Sequence, residues 1–304
     1  MMGVIPAAGF GERMLPLTGD TPKALLPILN KPLMSYTIER MQDIGVEDIL
    51  VITGHLGEQI EREIRGVKFI RQRKIEGAAK AIKLVEKYVG EDFLLIWGDN
   101  FFQGDLSRLF STHFERRADV SFILDERKIK KSAVAFIENG KITRIEERPK
   151  EGAGDATFAG VYILTRVIFD AIGRITKSET GEYEFADALQ LIVDRGLRVS
   201  YVWLDGWRMN VTTPSDLLKA NLRMIKERKM KYLVGEKCKI KGEVETSVIG
   251  NKVTVNYGSR ITNSLIMDGV EVKENVKVQN AIIRKGRNVE KDCIGRSLEK
   301  LFIL

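Results

Sequence analysis

Between residues 2 and 229, short apolar runs alternate with amphipathic stretches. GVIPAA, EDILVITG, VKFIRQ, DFLLIWGDN, ADVSFILD, FAGVYIL and RVSYVWL read as strands. Helical periodicity lies between them, at about 33–44, 57–65, 77–89, 105–117, 185–195 and 214–229. The alternation predicts an α/β fold with a mostly parallel sheet covered on both faces. One hairpin interrupts it: in VAFIENGKITRIEE, Asn139-Gly140 suits the two positive φ angles of a type I′ turn. Ligands of such sheets sit at the carboxyl ends of strands, so the residues following each apolar run are the first candidates for a site.

After Met230 the pattern changes to a repeat of about 17 residues, which aligns Ile249, Ile266 and Ile283, then Val255, Val272 and Val289. Within each unit the aliphatic positions recur every six residues, as in Ile249, Val255 and Ile261. A triangular coil with one inward aliphatic per face satisfies both spacings. The tail therefore resembles a short left-handed parallel β-helix of the hexapeptide-repeat type, with three to four coils. The preceding YLVGEKCKIKGEV places Tyr232, Cys238 and Val244 at the same spacing. Two domains are expected, 1–229 and 230–304.

Length and composition agree with a globular chain. At 304 residues and 44% hydrophobic it can bury a sizeable core. No apolar run approaches the ~20 residues of a membrane span, and the N-terminus lacks the order of a signal peptide, which predicts a cytoplasmic protein without a membrane partner. Cys238 and Cys293 have no CxxC context or nearby histidine, so they read as small buried apolar residues. The net charge of +7 is interleaved with acidic residues along the chain. That argues against nucleic acid and suits polyphosphate or phosphosugar substrates.

The first strand runs into AAGFGERMLPLTGDTPKALLP, residues 7–27. Glycines after a strand expose N–H groups that can cradle phosphate. A dinucleotide-binding turn would need a third glycine where Met14 stands, and a Walker loop is absent. What remains is GxGxR, Pro22-Lys23, Leu-Leu-Pro and Lys31-Pro32, followed in order by QRKIEGAAKA, WGDN, EERP, GEYE and NVTTPSDLLKAN. This series resembles the sugar-1-phosphate nucleotidyltransferases, which carry a Rossmann-like mixed sheet and, in several members, a β-helical tail.

The resemblance implies an enzyme that joins a nucleoside triphosphate to a sugar 1-phosphate and releases pyrophosphate. It implies triphosphate binding by Ala8, Gly9 and Gly11, catalytic charge neutralisation by Arg13 and Lys23, and base recognition by Gln72 and Gly77. Asp99 and Asn210 would hold Mg²⁺, with Asp99 also counted as catalytic, and Glu147, Arg148, Gly160 and Glu184 would meet the sugar phosphate. A glutamine amide can pair with the O4 and N3–H edge of uracil or thymine, which favours UTP or dTTP without separating them. Ala133, Arg148 and Asn210 depart from glycine, lysine and aspartate at the matching positions. They support an alternative, a weakly active or regulatory relative that binds nucleotide sugars. A third reading, an acetyl-transferring β-helix, lacks support because His55 and His113 both lie outside the tail. The short β-helix, with apolar flanks and LEKLFIL at its end, points to a homo-oligomer.

Overall fold

The computed structural model describes residues 1–127, 132–149 and 153–304. Elements follow in chain order: β1 (Met2–Ala7), β2 (Pro27–Ile28), β3 (Lys31–Pro32), α1 (Leu33–Asp43), β4 (Ile49–Thr53), α2 (Gly57–Glu63) and β5 (Lys68–Arg71). Next come α3 (Ala78–Lys83), β6 (Asp92–Ile96), β7 (Asn100–Gln103), α4 (Ser107–Glu115), β8 (Val120–Asp125), β9 (Val134–Glu138) and β10 (Lys141–Glu146). Then follow β11 (Ala156–Thr165), α5 (Val167–Arg174), α6 (Phe185–Asp194), β12 (Val199–Trp203), β13 (Trp207–Asn210) and α7 (Pro214–Glu227). Two compact units form from these: Met1–Gly9 with Tyr36–Arg208, and Phe10–Ser35 with Met209–Leu304.

The first unit is built on one sheet, ordered β12-β8-β11-β6-β1-β4-β5, with the β9–β10 hairpin paired to the start of β11. In that order only β11 is antiparallel to its neighbours, so the sheet is mixed and mostly parallel, as expected. Residues of β1, β4, β6 and β8 are buried at consecutive positions, so both faces of these strands are covered. Phe93 and Phe169 stack at 5.5 Å within the core. The hairpin turn has φ of 51° at Asn139 and 72° at Gly140.

Two expectations need correction here. Helix α3 ends at Lys83 and continues as turns rather than as helix to 89. Helix α5 is additional: its buried Ile168, Phe169, Ala171 and Ile172 follow β11 after one arginine, so the apolar run of the strand conceals where the helix begins.

In the second unit, α7 opens on a capping box between Thr213 and Asp216, with Pro214 in its first turn. The tail then winds through three ladders of parallel two- and three-residue strands, the left-handed β-helix expected. Ile249, Ile266 and Ile283 pair in register, as do Val255, Val272 and Val289, and all six are essentially fully buried. Each such side chain contributes about 1.5–3 kcal/mol through burial.

The first coil is two residues shorter than the 17-residue steps that follow it, and the step from Val278 to Cys293 is shortened in the same way. Val234 pairs with Ile249 and Ile240 with Val255, so these residues, not Tyr232 and Cys238, take the repeat positions, while Val244 keeps its place opposite Ile261. Tyr232 is exposed, and Cys238 is only half-buried, with its thiol donating to Gly250 O at 3.0 Å. Cys293 is buried as expected.

Candidate functional site

The first unit gathers its candidates at the carboxyl edge of the sheet. Ala8, just past β1, is buried, and its carbonyl accepts from His55 N–H at 3.3 Å. A Cβ on Gly54 would stand 2.4 Å from that oxygen, so glycine there lets the turn after β4 close against β1. Gly9 follows, exposed, with open space where a side chain would project. Beyond β5, Gln72 N–H donates to Thr53 O at 2.8 Å. The Gln72 side chain is 6% exposed, and its Nε2 has no hydrogen-bond partner. A buried donor without a partner is costly, which sets this amide apart from the satisfied polar groups around it.

Gly77 caps α3 with φ 103°, a conformation that favours glycine, and a Cβ there would stand 2.6 Å from Tyr183 O. Tyr183 N–H donates to Glu76 O at 2.9 Å and Ala79 N–H donates to Tyr183 O at 3.1 Å. The segment proposed to read the base is thus zipped to the GEYE segment carrying Glu184.

At the end of β6, Trp97 N–H donates to Gly160 O at 3.1 Å and Gly98 N–H to Pro6 O at 3.2 Å. Asp99 follows, half-buried. Opposite it β11 bulges: between Phe158 and Tyr162 the register against β8 shifts, and Gly160 adopts φ 77°. A Cβ on Gly160 would lie 2.9 Å from the Trp97 ring and 3.0 Å from Asn100 Nδ2. Asn100, 2% exposed, donates to Ala159 O and leaves its Oδ1 unpartnered.

Glu147, Arg148 and Glu184 lie together. Arg148 lies 3.2 Å from Glu147 Oε1 and 3.9 Å from Glu184 Oε1, and Thr180 donates to Glu184 at 3.1 Å. Burial, then the neighbouring Glu184 and Asp187 carboxylates, push the Glu147 carboxyl up to about 7 against the opposing pull of Arg148. Burial and Glu184 likewise raise Asp187. Tyr162, whose hydroxyl is hydrogen-bonded by Trp97, is raised by its complete burial. A carboxyl raised this far is partly protonated near neutrality, so Glu147 can donate a hydrogen bond as well as accept one.

The second unit holds Gly11, Arg13, Lys23 and Asn210. Gly11, with φ 70°, opens a 3₁₀ turn over Glu12–Met14. Met14 is fully buried and anchors the turn, which explains why glycine is not needed at that position. Arg13 is exposed, Lys23 begins a second 3₁₀ turn after Pro22, and Asn210 ends β13 half-buried. Asn100, Trp97, Tyr162, Thr180 and Asp187 were not singled out from the sequence. Asn100 and Trp97 flank Asp99 inside WGDN, and Thr180 and Asp187 flank GEYE, so adjacency to those motifs was the available signal.

Residues 2–227 match the nucleotidyl transferase family, and residues 219–300 match the GlmU-like C-terminal hexapeptide family. The chain belongs to the nucleotidyl transferase family and is an enzyme of the sugar-1-phosphate nucleotidyltransferase class. It is 32% identical to UTP–glucose-1-phosphate uridylyltransferase AglF of Haloferax volcanii, over 75% of this chain and 98% of that one. It is 28% identical to a glucose-1-phosphate thymidylyltransferase of Streptomyces antibioticus, over 96% of this chain and 83% of that one. A crystal structure from Bacillus anthracis, assigned as glucose-1-phosphate thymidylyltransferase and solved with sucrose, superposes with a TM-score of 0.64 at 30% identity. The match covers 73% of this chain and 94% of that one. Among the described residues no helix is long and apolar enough to cross a membrane.

Proposed function

We propose that the enzyme transfers a nucleotidyl group from UTP or dTTP to a sugar 1-phosphate, with glucose 1-phosphate the first candidate from the names of its relatives. The observation that carries the pyrimidine assignment is the buried Gln72 amide with its unpartnered Nε2, which suits the O4 of uracil or thymine. A sugar phosphate oxygen attacks the α-phosphorus while the bond to the β-phosphate bridge breaks and pyrophosphate leaves. Anions approach one another, so positioning and charge neutralisation dominate the catalysis. Gly9 and Gly11 amides cradle the triphosphate, and Arg13 holds the α and departing phosphates with its planar fork of donors. Lys23 meets the α-phosphate and incoming phosphate as a compact charge. Glu147, Arg148, Gly160 and Glu184 hold the sugar phosphate.

Asp99 and Asn210 offer one carboxylate and one neutral amide oxygen, hard donors that suit Mg²⁺ when phosphates and water complete its shell. Among the described residues no group of three or more His, Cys, Asp or Glu is placed to hold a metal ion. When bound, Mg²⁺ supplies charge neutralisation between nucleotide and sugar phosphates. We further propose a cytoplasmic homo-oligomer assembled through the β-helix.

Pyrophosphate release tests the reaction, measured with Mg²⁺ across five nucleoside triphosphates and the 1-phosphates of glucose, N-acetylglucosamine, galactose and mannose. Turnover requiring UTP or dTTP and one sugar phosphate is expected. A preference for ATP or GTP would overturn the base assignment, and no turnover anywhere would favour a regulatory protein.

A further inference from the structure

Residues 10–35 carry Arg13 and Lys23, yet they fold into the same compact unit as α7 and the coils. The loop has internal supports: Thr18 donates to Gly11 O at 2.9 Å, and Met14, Leu17 and Ile28 are buried. Its only strand pairing is β2 with β3, two residues each, which is marginal alone. The turn between them holds Leu29 at φ 47° and Asn30 at φ 61°, a conformation that side-chain-bearing residues adopt only when surroundings enforce it.

The enforcing contacts come from α7 and the coils. Asn221 of α7 is fully buried, accepts from Leu29 N–H at 2.8 Å, and donates to Pro27 O at 3.0 Å and Leu217 O at 2.9 Å. Asn30 Nδ2 donates to Ile249 O of the β-helix at 2.7 Å. Arg284, two coil steps further on, donates to Pro16 O at 3.4 Å while its Nε donates to Leu304 O at 3.3 Å. Helix α7 is fixed in turn by Ser215 donating to Leu298 O at 2.6 Å and by Lys219 paired with Glu299 at 2.9 Å. Pro16 lies between Arg13 and Lys23, and Pro27 lies just beyond Lys23, so the anchors bracket Lys23, and the first of them falls three residues after Arg13.

We propose that α7 and the β-helix seat the phosphate-binding loop, with Asn30, Asn221 and Arg284 as positioning residues for Arg13 and Lys23. This rests on the assignment of those two cations to the triphosphate. Charge stabilisation of a transition state needs donors held to about 0.5 Å, and a 1 Å displacement costs about 10²-fold in rate. The tail thereby has a part in the reaction that does not depend on a ligand of its own.

The test uses the full-length chain. Asn30→Asp keeps size and tolerance of positive φ but removes the donor to Ile249 O. Arg284→Met keeps most of the stem and removes the donors to Pro16 O and Leu304 O, whereas Arg284→Lys keeps a donor. For each, kcat, KM for both substrates, Tm and calorimetric affinity for UTP and dTTP are measured well below unfolding. Asn30→Asp and Arg284→Met are expected to raise the nucleotide KM and lower kcat, each by about tenfold. The sugar phosphate KM should stay within about twofold, with partial recovery in Arg284→Lys. Parental nucleotide KM and kcat in both variants would overturn the proposal. So would activity losses that merely follow Tm while nucleotide affinity is unchanged. A parent protein that binds no nucleoside triphosphate would instead sink the assignment of Arg13 and Lys23.

Discussion

In the coils, Ser247 Oγ accepts from Ser264 N–H, Ser264 Oγ from Ala281 N–H, and Ser259 Oγ from Val276 N–H, so buried hydroxyls are satisfied by the next turn of the repeat. In the sheet unit, Thr37 Oγ1, Gln72 Nε2 and Asn100 Oδ1 are buried without partners, and Gln72 and Asn100 both sit at the carboxyl edge. Repetition lets each coil supply its neighbour's needs. A sheet edge with a single reversed strand has no such neighbour, and two of its buried polar atoms stay unmet within the described residues.

The sharpest way to break this contrast is Asp99→Ala, which is expected to reduce pyrophosphate release by about 10³-fold or more with the far-UV circular dichroism unchanged. Turnover close to the parent's would remove Asp99 from the reaction. In the coils, Ile266→Ala should cost about 2–5 kcal/mol of stability in denaturant unfolding, because the fully buried side chain is packed between coils on both sides. A loss under 1 kcal/mol would show that the repeat packs loosely.

Glu147 probes the pH response of the edge. Its raised carboxyl keeps a proton in the native state that the unfolded chain has released. Stability from this group is therefore full below about pH 4.5 and lost as pH rises through about 7. Relative to the parent, Glu147→Gln should gain up to about 3 kcal/mol between pH 5 and pH 8 in chemical unfolding, and a flat difference would contradict the shift. The mildest test is Gln72→Leu. It should raise the KM for UTP or dTTP about tenfold while stabilising the fold by about 1 kcal/mol, since it removes an unsatisfied donor. A destabilised variant with normal KM would make Gln72 an ordinary core residue.

Much of this contrast was legible in sequence. Consecutive apolar positions announced strands covered on both faces, and the 17-residue repeat fixed the register of Ile249, Ile266 and Ile283. The first coil was not legible, because at 15 residues from Val234 to Ile249 it departs from the 17-residue period, as the step from Val278 to Cys293 does at the other end. Nor was α5, whose apolar face continues the run of β11. At the edge, the motifs pointed to Gln72, Gly77, Glu147 and Glu184. The Asp125–Arg208 pair, 2.9 Å apart and almost fully buried, joins residues 83 positions apart and gave no local signal. Asn100 was hidden for a related reason: its partner Ala159 lies on a bulge that only the pairing of β11 reveals.

The uniform rise of the coils turns the tail into a ruler. Neighbouring parallel strands lie about 4.8 Å apart, so the rungs of Ile249 and Ile283 stand about 10 Å apart. Asn30 bonds the first of these rungs, and Arg284, next to Ile283, reaches Pro16 from the second. The number of coils between those rungs is therefore matched to the dimensions of the loop they hold. Insertion of one 17-residue coil after Ile249 would keep every ladder in register and still part the two anchors by another rung. Coils added beyond Arg284 would spare these two rungs but would move Leu298, Glu299 and Leu304, which hold α7 and Arg284, so length is constrained at that end as well.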